Sequence, residues 1–189
     1  MPTNDRKLSM EELGRAGLQQ FQHMAKVPVR VVLDDVRSRH NVGSIFRTAD
    51  AFALEGLLLC GFTPCPPHRE IEKTALGATL SVSWEHREST LEAIVELKKA
   101  GYQVWCVEQT VQAVDLRDWK WNLERPEGGR APLAIVLGNE LSGVSDAVVE
   151  ASDGCVVIPQ AGTKHSLNVS VCAGIVLHHV AGTGGPNLG

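Results

Sequence analysis

VRVVLDDV, at residues 29–36, is an apolar run that ends in acidic residues, which is typical of a buried parallel strand. The polar loop RSRHNVG follows it. The next segment, SIFRTADAFAL at residues 44–54, carries its apolar residues on one helical face. A strand, a polar loop and a helix in this order favour an α/β fold, and the segments on either side extend the same pattern.

The alternation of strands and helices continues to the C-terminus. Further apolar runs predict strands at residues 56–62, 81–86, 102–109, 132–137 and 155–159, and helices are expected around residues 71–76, 91–100 and 169–180. This alternation predicts a mostly parallel sheet flanked by helices.

The ends of the chain differ from this core. The capping-box spacing of Ser9 and Glu12 predicts an N-terminal helix over residues 9–25. We therefore expect a helical extension at residues 1–27, one main domain at residues 28–182 and a flexible tail at residues 183–189.

The composition is that of an ordinary soluble globular protein. Of the 189 residues, 43% are hydrophobic and 21% are charged, and the net charge is −4. This charge argues against coating nucleic acid or anionic membrane by bulk attraction, although a local basic patch remains compatible with it. No apolar run approaches the roughly 18 residues of a membrane span, and the N-terminus lacks a signal core. The five cysteines form no C-x-x-C pair, which favours buried free thiols in a reducing compartment. A cytoplasmic protein without a membrane partner is expected.

Several common active-site motifs are missing from the sequence. There is no G-x-G-x-x-G after the first strand, no G-x-S-x-G and no H-E-x-x-H. Gly138 and Gly143 have the glycine spacing of a P-loop, but Val144 stands where that motif has lysine. Common dinucleotide, P-loop, hydrolase and zinc-protease chemistries are therefore excluded.

Three polar, glycine-containing loops each follow an apolar strand and precede a helix. They are HNVGSIFR at residues 40–47, LGNELSGVS at residues 137–145 and IPQAGTKHSLNVS at residues 158–170. Ligands of open α/β sheets bind outside the carboxyl ends of the strands. We therefore expect these loops to converge there into a pocket rich in backbone N–H groups.

Purely structural explanations exist for the polar residues in these loops. Asn41 could cap the helix that follows it, and Arg47 could pair with Asp50. Glu140 could be stabilised by the dipole of the helix after it, and the polar residues before the last helix could cap that helix. The basic residues of the first loop could form a solvated face or a patch for phosphate contacts.

The three loops contain, in chain order, the motifs N-x-G-x-x-x-R-T, L-G-x-E-x-x-G-V-S and I-P-x-x-G-x-x-x-S-L-N-V-S. Taken together, in this order and at these separations, they resemble the motifs of the SpoU/TrmH group of SPOUT RNA methyltransferases. The resemblance covers about residues 28–181. Gln160 departs from it, because the family usually has Met after the Ile-Pro pair. A side chain near the cofactor therefore differs, whereas the backbone contacts should be kept.

The resemblance implies a fold, a cofactor and an activity. The fold is an α/β sheet with a deep C-terminal trefoil knot, here from about Leu133 to Val180, in a homodimer. The activity is methyl transfer from S-adenosylmethionine to a ribose 2′-hydroxyl of tRNA or rRNA, with no metal. The expected cofactor contacts are Glu108, Gln109, Gly138, Ile158 and Leu167.

The catalytic set that the resemblance implies is Arg47, assisted by Asn41, Glu140, Ser166 and Asn168. Because arginine is normally always protonated, it cannot act as a base unaided. Either an adjacent RNA phosphate helps Arg47 accept the proton of the attacking hydroxyl, or Arg47 stabilises the developing alkoxide. RNA binding is expected to use a focused basic patch that dimerisation doubles: Arg30, Arg37, Arg39, Arg47 and Lys164.

The RNA substrate and the role of two tryptophans are open at this stage. Ribosomal members of the group carry an extra N-terminal RNA-binding domain, so the short extension here favours tRNA over rRNA. There are two alternatives to a methyltransferase. One is a knotted RNA-binding dimer without activity, and the other is a different nucleotide-binding α/β enzyme with an unknotted sheet. Trp119 and Trp121 either stack on RNA bases or, as we favour, pack in the dimer interface or under their loop.

Overall fold

The computed structural model describes residues 6–9, 11–121 and 131–184, and a seven-stranded sheet forms its centre. The strands are β1 (Val27–Asp34), β2 (Leu54–Cys60), β3 (Trp84–Arg87), β4 (Gln103–Val107), β5 (Val114–Asp115), β6 (Leu133–Leu137) and β7 (Gly154–Val157). Their order across the sheet is β3-β2-β1-β6-β4-β7-β5, and all neighbouring strands are parallel.

Helices cover both faces of this sheet. They are α1 (Leu18–His23), α2 (Arg39–Ala51), α3 (Arg69–Ala75), α4 (Ala78–Ser81), α5 (Thr90–Lys99), α6 (Asp146–Ala151) and α7 (Val169–Gly184). Along β1, Val31 and Leu33 face a core that α2, α3, α4 and α7 complete, whereas Val32 faces the core under α5 and α6. The α/β fold with a parallel sheet flanked by helices is therefore confirmed.

The C-terminal strands are not ordered as the chain runs. Strand β6 lies between β1 and β4, and β7 lies outside β4. The connection from β4 to β6 contacts β7 and the chain that follows it. The Leu116 N–H donates to the carbonyl of Val157, the last residue of β7, at 2.9 Å, and Gln109 Nε2 donates to the His165 carbonyl at 2.7 Å. The ring Nε2 of His179, in α7, lies 2.9 Å from the Trp119 carbonyl oxygen. The last quarter of the chain is thus held against an earlier connection.

The predicted N-terminal helix is wrong over most of its length. Ser9 and Glu12 form the capping-box hydrogen bonds, since the Glu12 N–H donates to Ser9 Oγ at 3.2 Å and the Ser9 N–H to Glu12 Oε2 at 2.8 Å. Only a turn follows, because Gly14 adopts a left-handed φ of 55°. Helix begins only at α1. Residues 1–5 and 10 of the predicted extension lie outside the described residues.

Helix α2 begins earlier than the sequence predicted. Ser38 is its N-cap and accepts a hydrogen bond from the Asn41 N–H at 3.3 Å. The interpretation of Asn41 as the cap is therefore wrong, and its side chain is available for other contacts.

Within the described residues, one helix is longer than the sequence predicted, and two short elements were not predicted. Helix α7 runs to Gly184, so residues 183 and 184 of the predicted tail are helical, and the remaining tail residues lie outside the described range. Strand β5 and helix α4 have only two and four residues, too few to leave a periodic signal. None of the described helices is long and apolar enough to cross a bilayer.

Trp119 and Trp121 belong to the core. Their side chains are 4% and 1% exposed, and the Trp119 ring centroid lies 5.3 Å from that of Trp105. Trp121 Nε1 donates to the Ala131 carbonyl at 2.9 Å. Packing under the connection is confirmed for both residues, and the RNA-stacking interpretation is wrong.

Gly43 lets α2 approach α3, and this contact is testable. A Cβ at residue 43 would lie 2.1 Å from Thr74 Oγ1 and 2.3 Å from the Ile71 carbonyl oxygen. Because that oxygen is backbone and cannot rotate away, we expect Gly43→Ala to cost about 2 kcal/mol despite the better helix propensity of alanine. The Tm should fall by about 4–8 °C in thermal unfolding.

The matched control is Gly182→Ala in α7. A Cβ there meets nothing within 4 Å, so the variant should be as stable as the wild type or slightly more stable. Equal Tm values for the two variants would contradict the assigned role of Gly43.

Candidate active site

The three polar loops predicted from the sequence meet at the carboxyl edge of β1 and β6. One loop connects β1 to α2, the second connects β6 to α6, and the third connects β7 to α7. Because β1 and β6 are parallel neighbours, their carboxyl ends bring the first two loops side by side. The third loop joins them through α7, which packs against the same core as α2.

Glu140 ties the second loop to the first. Its Oε1 accepts hydrogen bonds from the Ser38 N–H at 3.0 Å and from Asn41 Nδ2 at 2.9 Å, and its Oε2 accepts one from the Arg37 N–H at 3.0 Å. Partial burial opposes ionisation, but the hydrogen bonds from Arg37, Asn41 and Ser38 outweigh it and lower the pKa of Glu140. The carboxylate is therefore ionised at neutral pH.

The expectation that Glu140 is stabilised by the dipole of the helix that follows it is wrong. Glu140 serves the N-terminus of α2, which is distant in sequence, and not the following helix α6. The N-cap of α6 is Ser145, whose N–H donates to Asp34 Oδ2 at 3.0 Å.

Two asparagine amides continue the connection to the third loop. Asn41 is 8% exposed, and its Oδ1 accepts a hydrogen bond from Asn168 Nδ2 at 3.1 Å. Asn168 Oδ1 in turn accepts from the Ser170 N–H at 2.9 Å, so Asn168 caps α7. Glu140, Asn41 and Asn168, one from each predicted motif, thus form one hydrogen-bonded chain.

A cavity of about 310 Å³ lies beside this chain, and Glu140 and Ser166 are among the residues that line it. Its wall includes every predicted cofactor contact: Glu108, Gln109, Gly138, Ile158 and Leu167. Gln160, the departure from the family pattern, also lines it. Burial raises the pKa of Cys172, a further wall residue, to about 11, so this thiol stays protonated and is a poor nucleophile.

Close backbone packing shapes the cavity wall. A Cβ at Gly138 would lie 2.2 Å from the carbonyl carbon of Gly143, so only glycine fits where the second loop folds back. Glu108 holds that fold: its Oε2 accepts from the Val144 N–H at 3.0 Å, and its Oε1 accepts from the Gln109 N–H at 2.8 Å. Gly138 and Gly143, which have the glycine spacing of a P-loop, therefore allow the backbone to turn back on itself here.

Arg47 lies apart from the cavity. It is exposed, and it lines a groove between α2, α3 and α7 whose other residues include Lys73, Val171, Ile175 and His178. Its suggested partner Asp50 instead accepts a hydrogen bond from the Ser81 hydroxyl. Within one chain, the structure thus brings four of the five predicted catalytic residues to the cavity or its hydrogen-bonded chain, and leaves Arg47 on a neighbouring surface.

The predicted RNA-binding residues divide into two groups. Arg37 and Lys164 are exposed on the loops of the site, and Arg39 is exposed at the start of α2, where it has an ion pair with Glu70 at 3.8 Å. Arg30 lies four residues before the end of β1, about 13 Å along the strand, on the face opposite α2.

Arg30 is also occupied by acidic neighbours. Its guanidinium contacts Glu55 at 2.8 Å and Glu85 at 3.3 Å. The structure therefore does not bring Arg30 to the site.

Sequence reasoning missed Asn139 and Asp35. Asn139 Nδ2 donates to the Asp35 carbonyl at 2.7 Å, and its Oδ1 accepts from the Leu141 N–H at 2.9 Å. Asp35 has a left-handed φ of 55°, which is uncommon without glycine. An Asx-turn asparagine inside the second motif, and two acids at the end of an apolar strand, were the available signals.

No group of three potential metal ligands occurs among the residues that the structure describes.

The sequence match defines the family. The model of the SpoU rRNA Methylase family matches residues 28–178, and the chain belongs to this family. It is 32% identical over 154 residues to a tRNA (guanosine(18)-2′-O)-methyltransferase of Aquifex aeolicus, covering 78% of this chain and 66% of that protein. It is 36% identical over 147 residues to a 23S rRNA (guanosine-2′-O-)-methyltransferase of Nitrosomonas europaea, covering 78% of this chain and 53% of the relative. The chain thus spans less than two thirds of these relatives.

Solved structures share the fold. The A. aeolicus TrmH/SpoU tRNA modifying enzyme superposes with a TM-score of 0.75 at 28% identity, over 92% of this chain and 82% of that one. An AdoMet-bound rRNA methyltransferase from Sinorhizobium meliloti superposes with a TM-score of 0.72 at 28% identity, over 84% and 60%. The fold described above is thus the SPOUT α/β knot that the resemblance implied.

Replacing Glu140 by glutamine tests the hydrogen-bonded chain. The amide offers one acceptor oxygen to three donors, so we expect Glu140→Gln to cost about 1–2 kcal/mol at pH 7 and to lower the Tm by about 2–8 °C. Since the folded-state pKa of Glu140 is lowered, its ionisation stabilises the fold above its ordinary pKa of 4.5, and this stabilisation is lost as the pH falls through the folded pKa. The Tm difference should therefore shrink at pH 4 and below.

The control for this measurement is Glu150→Gln, an exposed glutamate on α6. Its Tm should follow that of the wild type at each pH. A Glu140→Gln variant whose Tm deficit is the same at pH 7 and pH 3 would refute the electrostatic part of the argument.

Proposed function

We propose that the protein transfers a methyl group from S-adenosylmethionine to a ribose 2′-hydroxyl of an RNA. The observation that carries this proposal is the chain Glu140–Asn41–Asn168, which joins one residue from each family motif beside the cavity. The relatives support it, because two of them are named as 2′-O-methyltransferases and one solved neighbour is named as AdoMet-bound.

The cavity suits a cofactor that has both an apolar ring and polar groups. Leu137, Val156 and Ile158 offer an apolar wall for an adenine ring, and the loop backbone around Gly138 supplies polar groups for its edge and the ribose. When bound, S-adenosylmethionine supplies an electrophilic methyl group on a positively charged sulfur. No metal is needed for that chemistry.

The residues around the cavity then position the nucleophile. An unperturbed ribose hydroxyl holds its proton at neutral pH, so the site must remove the proton or stabilise the negative charge that develops. Glu140 and Asn41 fix the start of α2, the helix that carries Arg47 six residues farther on. In our proposal Arg47 either accepts the proton of the hydroxyl with help from an RNA phosphate or stabilises the developing alkoxide electrostatically. Ser166 and Asn168 hold the third loop.

We also propose that the protein works as a homodimer that buries the groove around Arg47. Val171 and Ile175 are one helical turn apart on α7 and are 50% and 39% exposed, which makes an apolar stripe on the helix surface. Phe52 and His178 extend the stripe, with ring centroids 6.1 Å apart. A second copy seated there would place Arg47 at the edge of an interface.

For the RNA, we propose tRNA as the substrate class. The relatives include enzymes named for tRNA and for rRNA, so they support both. The superposition with the A. aeolicus TrmH/SpoU tRNA modifying enzyme, which covers 82% of that chain, adds support for tRNA. In our proposal Arg37, Arg39 and Lys164 are the cations that would contact its phosphates. A cytoplasmic location stays a prediction.

An assay of methyl transfer tests this proposal. Wild-type protein is incubated with labelled S-adenosylmethionine and with either tRNA or rRNA, each purified from a strain that lacks the gene. We expect label in the tRNA, and mass spectrometry should identify it as a 2′-O-methyl nucleoside. Arg47→Ala should lower the rate about 100-fold or more, the usual loss for one electrostatic donor. Cofactor affinity by calorimetry should stay within about twofold, because Arg47 lies outside the cavity.

The control arginine is Arg117, which is exposed and paired with Asp115 at the β5 edge of the sheet. Arg117→Ala should keep wild-type activity. Label in rRNA alone would overturn the choice of tRNA. Equal rates for Arg47→Ala and the wild type would overturn the role of Arg47, and a wild type that binds no cofactor would overturn the enzyme.

The dimer has its own test. Ile175→Glu introduces a charge into the apolar stripe, so the mass measured by light scattering should fall from dimer to monomer at micromolar concentration. Leu91→Glu is the matched control, since Leu91 is equally exposed at 39% but lies on α5, on the opposite face of the sheet. If both variants keep the mass of the wild type and that mass is dimeric, the interface lies elsewhere.

A further inference from the structure

Phe62 is an exposed aromatic residue at the carboxyl edge of the sheet. Its side chain is 87% exposed, whereas every other Phe, Tyr and Trp side chain in the described residues is buried or half-buried. A single exposed apolar residue is common on protein surfaces and by itself needs no explanation. Phe62 differs from such a residue because hydrogen bonds fix the loop that carries it and connect that loop to the candidate active site.

The loop that carries Phe62 is fixed on both sides. The Phe62 N–H donates to Asp35 Oδ1 at 2.7 Å. The next residue, Thr63, is 3% exposed, and its Oγ1 donates to the Leu33 carbonyl at 3.1 Å while it accepts from the Val36 N–H at 3.1 Å. The ring is therefore displayed from an ordered backbone, so a ligand that binds it does not have to order the loop.

The same contacts connect Phe62 to the candidate active site. Asp35, which holds the Phe62 N–H through its side chain, accepts a hydrogen bond from Asn139 Nδ2 at 2.7 Å through its carbonyl. Asn139 directly precedes Glu140. Asp35 adopts a left-handed backbone, a conformation that costs free energy and is enriched at functional sites. One strained residue thus joins the loop of Phe62 to the loop of Glu140.

Exposed cations follow Asp35 along the chain, and they indicate what the ring would meet. Arg37 is exposed two residues after Asp35, and its N–H is held by Glu140. Arg39 and His40 are exposed on the following turn. Proteins that bind unstacked RNA bases combine cations for the phosphates with an exposed aromatic ring for the base.

We propose that Phe62 stacks on a nucleobase of the RNA substrate, close to the nucleotide whose ribose is methylated. This inference rests on the proposed function, because the base is that of the same RNA. Phe62 acts here as a substrate-contacting residue that sets affinity and register, with no part in the proton or methyl transfer.

Three substitutions at Phe62 separate stacking from other roles. Affinity for purified tRNA is measured by filter binding, and kcat and KM for tRNA are measured at saturating S-adenosylmethionine. Phe62→Ala should weaken tRNA binding about 5- to 100-fold and raise KM, the usual effect of losing one stacked base. Phe62→Trp should keep wild-type affinity, and Phe62→Leu should behave like Phe62→Ala, because leucine is apolar but has no flat π face.

Two readouts should not change in any Phe62 variant. The Tm should stay within about 2 °C of the wild type, since the ring contacts mainly solvent, and the cofactor affinity by calorimetry should be unchanged. The matched control is Leu80→Ala, an apolar residue 69% exposed on α4, which precedes β3 and so lies toward the amino ends of the strands. It should keep wild-type tRNA affinity.

Each other result overturns the proposal. Wild-type affinity in Phe62→Ala refutes a contact with RNA, and wild-type affinity in Phe62→Leu refutes stacking in favour of a simple apolar contact. A changed oligomeric mass without a change in RNA affinity assigns Phe62 to a protein interface. If the wild type binds tRNA but methylates no RNA, the proposed function fails while the binding series still decides the role of Phe62.

Discussion

The carboxylate of Glu140 determines how the site is built. It accepts the N–H groups of Arg37 and Ser38 and the amide of Asn41, and so it holds the first turn of a helix that lies about a hundred residues earlier in the chain. Backbone N–H groups at a helix N-terminus have no partner within the helix, and a carboxylate is the best acceptor for them. One side chain therefore satisfies a local need of α2 and fixes the second loop against the first.

Two surfaces depend on the position of α2. Asn41, in its first turn, faces Glu140 and Asn168 beside the cavity, whereas Arg47 faces the groove between α2 and α7. Six residues are about 9 Å along a helix axis. One helix thus carries both a residue of the hydrogen-bonded chain beside the cavity and a residue of the apolar groove. A partner that covers the groove could influence the chemistry without touching the cavity, because any tilt of α2 moves both residues together.

The sequence was sufficient for the fold class and the identity of the loops, because apolar strands and polar glycine-containing turns leave periodic, local signals. It was misleading wherever a contact is long-range. Glu140 looks like a residue of the helix that follows it, and its real partner, Ser38, is 102 positions away. Arg30 looks like part of a basic patch, but strand geometry turns it to the other face, where Glu55 and Glu85 meet it. For Trp119 the sequence left RNA stacking and packing open, and its ring packs on Trp105, which is the alternative that we favoured. In each case, residues that come together only in the folded chain decided the outcome.

The net charge of −4 also has a different meaning once the site is known. Several carboxylates at the carboxyl edge are turned inward onto donors: Asp34 onto Thr90 and Ser145, Glu108 onto Gln109 and Val144, and Glu140 onto the start of α2. The N–H dipoles that these carboxylates accept offset part of their field. The nearby cations Arg37 and Lys164 are exposed. The acids at this edge therefore hold the loops of the site, and the net charge of the whole chain does not describe how charge is distributed there.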